Sequence, residues 1–365
     1  MRCADEMKAA AVIAAFFIAA PATVSAGGLE DLMSASMISS VTAVPQPAQP
    51  DERTLTATSA PAASVIVEPD DSRTPVLNVI NGAAKTIDLT IYELSDTQIV
   101  TALINAQKRG VAVRVLYNYY SFQTSGTDPN ASAITKLSAA GVKVQKAAQT
   151  YTYTHQKTLT ADNKTSVIMT FNLASNYFTG TRDFGYVTSD ASQVAEIEQV
   201  FTADWNYSSI TPSLGSLVWS PVNSRTKILN LINSAEKTLV ADNEELMDTD
   251  CINAFEAAAK RGVSVRIITA RLNGSTDSNA AGRNDVIAAG GQAKAGTKGS
   301  TGKSLYFHAK MILADYGTAQ QQGFLGSENF SSTSLDENRE LGVLMTDSSL
   351  LSRLSSTFES DWSAN

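Results

Sequence analysis

Only two histidines occur in the 365 residues, and each stands in the same company. His155 is followed by Lys157 and Asp162, and His308 by Lys310 and Asp315, so both fit the pattern H-x-K-x-x-x-x-D. A chance match at one histidine has a probability of about one in several hundred, and two matches out of two make chance a poor explanation. Tyr153, His155, Lys157 and Leu159 alternate as along a strand, which predicts that imidazole and ammonium project from one face. His308 and Lys310 repeat the arrangement. An imidazole beside a fixed cation suits attack on a phosphate. The ring supplies a nucleophile or a proton, and the ammonium stabilises charge on the equatorial oxygens. Asp162 and Asp315 fall where each strand should turn, and they read as orienting and structural groups more than as proton carriers. The expected catalytic set is therefore His155, Lys157, Asp162, His308, Lys310 and Asp315. Two His and two Cys exclude a His-rich metal site and zinc-finger arrays.

Further residues follow each motif at matching positions. Gly326-Ser327-Glu328-Asn329 in the second half corresponds to Met169-Thr170-Phe171-Asn172 in the first. Their amides and hydroxyls suit phosphate oxygens, which makes Asn172, Ser327 and Asn329 candidate phosphate ligands; taken alone, such a tetrapeptide is simply a turn. Ten residues beyond each Asn come Arg182-Asp183 and Arg339-Glu340. An acid here can bind the far nitrogen of a histidine and fix its tautomer, the competing reading being an ion pair between surface neighbours.

The elements that must hold these residues are also written twice. Ser72-Arg73-Thr74 recurs as Ser224-Arg225-Thr226, and Lys108-Arg109-Gly110-Val111 as Lys260-Arg261-Gly262-Val263, both at an offset of 152. The offset grows to 153 between the histidines and to 157 for Asn172 and Asn329, Arg182 and Arg339, and Trp205 and Trp362, as loop insertions would produce. Two homologous lobes follow, residues 64–208 and 216–365. Each should open with an amphipathic helix, carrying Leu77, Ile80 and Ala84 in one lobe and Ile228, Leu231 and Ala235 in the other. A strand with Ile87, Leu89 and Ile91 comes next. Asp96 and Asp248 stand as N-caps of helices 97–109 and 249–261, which end at Gly110 and Gly262. Val111, Val113 and Val115, matched by Val263, Val265 and Ile267, form a further strand. Strands alternating with helices predict α/β lobes with parallel or mixed sheets.

Ahead of the lobes, Ala9 to Ala20 is a short apolar run behind Arg2 and Lys8, with small residues at Val24-Ser25-Ala26. It reads as a signal peptide over residues 1–26, removed near Ala26, so the chain should be secreted or periplasmic. Residues 27–63, punctuated by Pro45, Pro47, Pro50 and Pro61, read as a flexible linker. Removal of the leader takes two basic and two acidic residues and Cys3, which leaves the net charge at −8 and Cys251 as the single thiol. Cys251 reads as a buried small hydrophobe. No later segment is long and apolar enough to span a bilayer. The acidic balance argues against a general nucleic-acid binder. Two segments stand near an expected cleft: the aromatics Tyr117, Tyr119, Tyr120 and Phe122, and a long loop over 272–304 with Arg283, Lys294, Lys298 and Lys303. The first suits a lipid surface or ordinary packing, the second a lid or a solvated loop.

The duplicated H-x-K-x-x-x-x-D motif, the Gly-Ser-x-Asn after the second copy and the Arg-Gly-Val strand together resemble the phospholipase D superfamily over nearly all of 64–365. The resemblance implies two α/β/α lobes with mixed sheets, related by a pseudo-twofold axis, with one active site at their interface. It implies a covalent phosphohistidine intermediate and neither metal nor cofactor. Carried over by position, His155 would be the nucleophile and His308 the general acid. Lys157, Lys310, Asn172 and Asn329 would bind phosphate, and Asp183 and Glu340 would orient the histidines. Met169 departs from the Gly of that motif, which removes backbone freedom and puts phosphate contacts in that half in doubt. The expected activity is that of a secreted phospholipase D that releases head groups at a membrane surface and leaves phosphatidic acid, with transfer to other alcohols as a side reaction. A secreted nuclease or phosphodiesterase acting on DNA or RNA is the alternative.

Overall fold

The computed structural model describes residues 63–119, 128–213, 215–271, 277–299 and 302–365. The expected leader, nearly all of the linker, and Tyr120 and Phe122 lie outside the described residues.

The first lobe runs β1 (Ala63–Glu68), α1 (Thr74–Gly82), β2 (Thr86–Ile91), α2 (Thr97–Lys108), β3 (Ala112–Tyr117), α3 (Ala131–Ala139), β4 (Lys143–Lys146), β5 (Thr158–Ala161), β6 (Thr165–Met169), β7 (Thr181–Thr188) and α4 (Ala191–Trp205). The second runs β8 (Leu217–Ser220), α5 (Ser224–Ser234), β9 (Thr238–Asn243), α6 (Thr249–Lys260), β10 (Ser264–Ala270), α7 (Ala280–Ala288), β11 (Gln292–Gly296), β12 (Tyr306–Phe307), β13 (Lys310–Ala314), β14 (Gln322–Gly326), α8 (Ser332–Asp336), β15 (Glu340–Met345) and α9 (Ser348–Ala364). The sheets are ordered β1-β7-β6-β5-β2-β3-β4 and β11-β10-β9-β13-β14-β15-β8. Within these orders β2-β3-β4 and β9-β10-β11 pair in parallel and the remaining neighbours antiparallel, so both are mixed sheets and each lobe is α/β.

Local chemistry sets the element ends. The Asp96 carboxylate accepts from the amides of Gln98 and Ile99 at the start of α2, and Asp248 accepts from Cys251 at the start of α6. Such a cap contributes about 1 kcal/mol. Gly110 and Gly262 follow the ends of these helices with φ of 92° and 90°, a region costly for any residue with a Cβ. Cys251 is buried on the inner face of α6, packed as a small apolar side chain.

Three expectations fail. Each lobe opens with a strand, β1 or β8, ahead of its first helix. Both strands lack polar alternation because four of the six β1 residues and all of β8 are buried. The segment 272–304 is not one long loop: α7 and β11 lie within it, Arg283 pairs with Asp277 at 2.6 Å, and Lys294 sits over the Trp362 ring. Finally, the His-x-Lys segments are not regular strand; each crosses from one lobe's sheet to the other's. Phe307 pairs with Arg182 of β7, after which Lys310 begins β13, paired with β9. In the mirror arrangement Thr154 bridges Arg339 ahead of β15, and β5 begins at Thr158.

The crossings follow from a shared core. One apolar cluster lies under the outer helices of each lobe. A third joins Val65, Ile168 and Phe184 of the first lobe to Trp219, Leu325, Leu341 and Phe358 of the second. Fully burying side chains of this size contributes about 1.5–3 kcal/mol each. The two lobes accordingly sit within one compact unit.

Candidate active site

His155 and His308 line one cavity of about 400 Å³ between the lobes, together with Asn172, Asn329, Tyr92, Tyr153, Tyr177, Glu244, Glu245 and Met247. The swap between lobes places them there. The backbone amide of His155 donates to the carbonyl of Arg339 (2.9 Å), and that of His308 to the carbonyl of Arg182 (3.1 Å). The residue after each arginine then reaches the ring: Glu340 lies 2.8 Å from His155 Nδ1, and Asp183 lies 2.8 Å from His308 Nδ1. Each acid therefore clamps the histidine of the opposite lobe. A carboxylate at Nδ1 holds the proton there and leaves Nε2 for chemistry.

A hydroxyl steadies each acid. Thr170 donates to Asp183 at 2.5 Å and accepts from the amide of Phe184. Ser327 accepts from the amide of Leu341 at 3.1 Å, and its hydroxyl helps hold Glu340 ionised. Ser327 is fully buried and does not line the cavity, so the structure places it behind the acid and not at a phosphate. Thr170 thus preserves the function of Ser327. The Met169 departure also has a different meaning from the one expected. Gly326 has an ordinary φ, and what it allows is close approach, since a Cβ there would meet the Gly342 Cα at 2.5 Å. Met169, paired opposite Gly185, fills core space.

The lysines differ from expectation as well. Lys157 and Lys310 are fully buried, and neither lines the cavity. Lys157 donates to the His155 carbonyl at 2.6 Å, and Lys310 to the His308 carbonyl. Their charge is still felt at the ring. Burial pushes the His155 imidazole down to about 4, Glu340 opposes, and Lys157 adds to the fall. Burial pushes the Lys157 ammonium down to about 7, against Glu340 and helped by Lys310.

Asp162 and Asp315 are not at the site. Each has a positive φ and accepts from three successive backbone amides, Ala84 to Thr86 and Glu236 to Thr238 respectively. Partial burial pushes both carboxyls up, but these amides outweigh it and hold them low. They fasten the turn before β2 and before β9, so their inclusion in the catalytic set is corrected, while the structural part of their expected role matches this placement.

The Asn172 carboxamide oxygen accepts from the Glu93 amide at 3.2 Å, and Asn329 Nδ2 donates to Glu244 at 3.2 Å. Tyr117 and Tyr119 do not line the cavity; Lys146 lies 5.0 Å from the Tyr119 ring. The aromatics at the site are others. Tyr92 meets the His155 ring edge-on at 4.8 Å, and Tyr177 meets His308 at 4.9 Å. Sequence reasoning missed these two and Glu244. The signal available was position, since Tyr92 and Glu244 directly follow the C-terminal ends of parallel strands β2 and β9, where α/β sheets place their sites.

The family model described as "Cardiolipin synthase, PLD-like domain" matches twice, over residues 76–205 and 228–362. The chain belongs to the phospholipase D-like family. This phospholipase D-like protein is 24% identical over 130 residues to the mitochondrial cardiolipin hydrolase of Chlamydomonas reinhardtii, a match covering 36% of the chain and 56% of that relative. Two solved structures share the fold across both lobes. Phosphatidylserine synthase of Haemophilus influenzae matches with a TM-score of 0.61 and 11% identity, over 82% of this chain and 85% of that one. Polyphosphate kinase of Porphyromonas gingivalis matches with a TM-score of 0.62 and 14% identity, over 80% of this chain and 49% of that one. The chain therefore spans only about half the length of the hydrolase and of the kinase. No helix among the described residues is long and apolar enough to cross a membrane.

Proposed function

We infer that the protein is an exported phospholipase D-type phosphodiesterase that splits phospholipid head groups from phosphatidic acid through a phosphohistidine. The observation that carries this reading is the pair of histidines from two lobes, lining one cavity, each with Nδ1 held by the carboxylate of the other lobe. In the first half-reaction His155 Nε2 bonds to phosphorus, the bond from phosphorus to the leaving oxygen breaks, and His308 supplies that oxygen with a proton. In the second, water gives a proton to His308 and its hydroxyl displaces His155 from phosphorus. Asn172 and Asn329 bind the phosphate oxygens, while the buried charges of Lys157 and Lys310 favour an anion from beneath. Ser327, tied to the backbone behind Glu340, is left out of that set.

Three observations support a lipid over a nucleic acid. Among the described residues, those lining the cavity include Glu244 and Glu245 but no Lys or Arg, whereas a DNA track needs clustered cations. Tyr153 and Met247, both on the lining, are 40% and 42% exposed, which suits contact with an apolar interface. The family model and the curated relative both carry cardiolipin in their descriptions. Export rests on the apolar run from Ala9 and the Val24-Ser25-Ala26 site.

The test is a side-by-side assay of head-group release from phosphatidylcholine and cardiolipin vesicles and of single- and double-stranded DNA cleavage, at two salt concentrations. Head-group release without DNA cleavage is expected. Dominant, salt-sensitive DNA cleavage would overturn the substrate assignment.

A further inference from the structure

Four groups converge on the Glu244 carboxylate. Oε2 lies 2.9 Å from Lys310 Nζ, 3.2 Å from Asn329 Nδ2 and 3.5 Å from His308 Nε2. Oε1 accepts from the Tyr306 hydroxyl at 2.7 Å. Burial alone would push this carboxyl up, but Lys310 and His308 outweigh it and hold it well below the ordinary carboxylate range. The side chain is partly exposed on the cavity wall and is an anion there.

The matching position of the first lobe holds Tyr92, which offers His155 a ring edge and no charge. His308 thus has a carboxylate at each ring nitrogen, Asp183 at Nδ1 and Glu244 at Nε2. Among the described residues, Glu340 at Nδ1 is the one carboxylate in ion-pair distance of His155. Of the other charged groups nearby, Lys310, at the start of β13, donates to the His308 carbonyl, and Glu93, in the segment after β2, feels the His308 ring. The Tyr177 and Tyr306 rings lie at 4.9 and 6.4 Å.

Resting on the reading above, the geometry points to Glu244 as a positioning residue: it is the counter-ion of doubly protonated His308, keeps the Nε2 proton ready for the leaving oxygen, and so makes the two histidines unequal. Glu244 moves no proton itself. The proton passes from His308 Nε2 to the leaving oxygen and is replaced from the incoming water, while the Glu244 carboxylate stays ionised throughout. The rival role is that of a competing anion, because Asn329 and His308, which line the cavity, are groups a phosphate would use. The two roles predict opposite results when the charge is removed.

The experiment compares Glu244→Gln with the unaltered chain on two phosphodiesters, phosphatidylcholine and its p-nitrophenyl counterpart. Choline departs as a poor alkoxide and needs the proton, whereas p-nitrophenolate departs with little help. The kcat for phosphatidylcholine should fall about a hundredfold and that for the p-nitrophenyl ester only about threefold. The ratio is taken within one preparation, so it does not depend on the folded fraction. The alkaline limb of the kcat–pH profile for phosphatidylcholine should also move to lower pH, which a purely structural role would not cause. Tyr306→Phe, which frees Oε1, should shift the ratio in the same direction by less. Equal losses on both substrates would overturn the proposal. So would a lower KM with kcat unchanged or raised, the sign of a competing anion. An unaltered chain that turns over neither ester would instead overturn the phosphodiesterase reading itself.

Discussion

Lys157 and Lys310 occupy equivalent places in the two lobes, yet their neighbours differ. Lys157 lies 5.2 Å from the centre of the Tyr92 ring, and Lys310 lies 2.9 Å from a carboxylate oxygen of Glu244. Beside Tyr92 stands Tyr153, ring edge to ring face at 6.0 Å, whereas Tyr306, the match of Tyr153, turns its hydroxyl to Glu244. Behind the rings the halves share a plan, with a swapped acid on each Nδ1, a hydroxyl behind each acid and an Asp that fastens the turn before a central strand, although Glu340 also accepts from Ser334 and Asn338. Repetition has been kept in the scaffold, in the histidines and in the asparagines, and lost on the cavity wall at Tyr92 and Glu244. The chemistry calls for that division. In-line displacement at phosphorus has two unlike ends, one where a nucleophile enters and one where an alcohol leaves, and identical halves would serve one of them badly.

The largest effect should come from breaking the comparison at its centre. His155→Asn and His308→Asn should each lower turnover of an alkyl phosphodiester on the order of 10⁴-fold. They should separate on a p-nitrophenyl ester, whose departure needs no acid. His308→Asn should then accumulate a covalent adduct on His155, read as an added mass in the intact protein after alkaline quenching, while His155→Asn should show none. An adduct on His308 in the His155 variant would reverse the assignment of roles.

The arginines test the same comparison away from the cavity. Arg182 reaches Asp361 through Nε at 2.5 Å and Nη2 at 3.1 Å, and donates through Nη1 to the Glu68 carbonyl. Arg339, its match, makes one bond to Asp204 at 2.8 Å and lies over the Tyr151 ring at 4.5 Å. Asp361 is fully buried and Asp204 is 12% exposed. Removing one partner of a buried pair leaves the other charge uncompensated, so Asp361→Asn should cost about 3 kcal/mol in urea unfolding at pH 7. Asp204→Asn, with water and an aromatic face in reserve, should cost about 1.5 kcal/mol. Equal costs would mean that the two bridges are equivalent after all.

These contrasts also mark how far the sequence could be read. Asp96, Asp248, Gly110 and Gly262 were legible because a cap or a left-handed turn is decided by one residue and its near neighbours. The candidate site was legible as a list, since the motif repeats, and the acids Asp183 and Glu340 could be proposed as partners of histidines. Which acid holds which histidine was not, because a sequence offset carries no information about strands exchanged between sheets. Asp162 and Asp315 misled for a related reason. Proximity to His155 and His308 in the chain suggested proximity in space, but β5 and β13 carry these acids to the far end of each strand. Ser327 was misplaced because its hydroxyl is drawn to the Leu341 amide, a partner fourteen positions away. Glu244 was invisible because no motif contains it, and only its pairing with Tyr92 at an offset of 152 set it apart.

The smallest test concerns pH. An ordinary imidazole and ammonium would titrate near 6.5 and 10.4. In the first half-site His155 is held down to about 4 and Lys157 to about 7, burial being the first cause of each. A base with a lowered pKa keeps its lone pair to lower pH, so kcat/KM should hold until the pH falls through about 4 and then drop about tenfold per unit as His155 takes up a proton. On the other side, Lys157 loses its charge as the pH rises through about 7, and phosphate binding should weaken there. The active window is thereby moved to the acid side of the one that unperturbed groups would give. Lys157→Arg separates the two limbs, because a guanidinium does not titrate in this range. The acid limb should stay in place and the alkaline limb of kcat/KM should move well above 7. An alkaline limb that remains at 7 would assign that titration to another group and remove Lys157 as its origin.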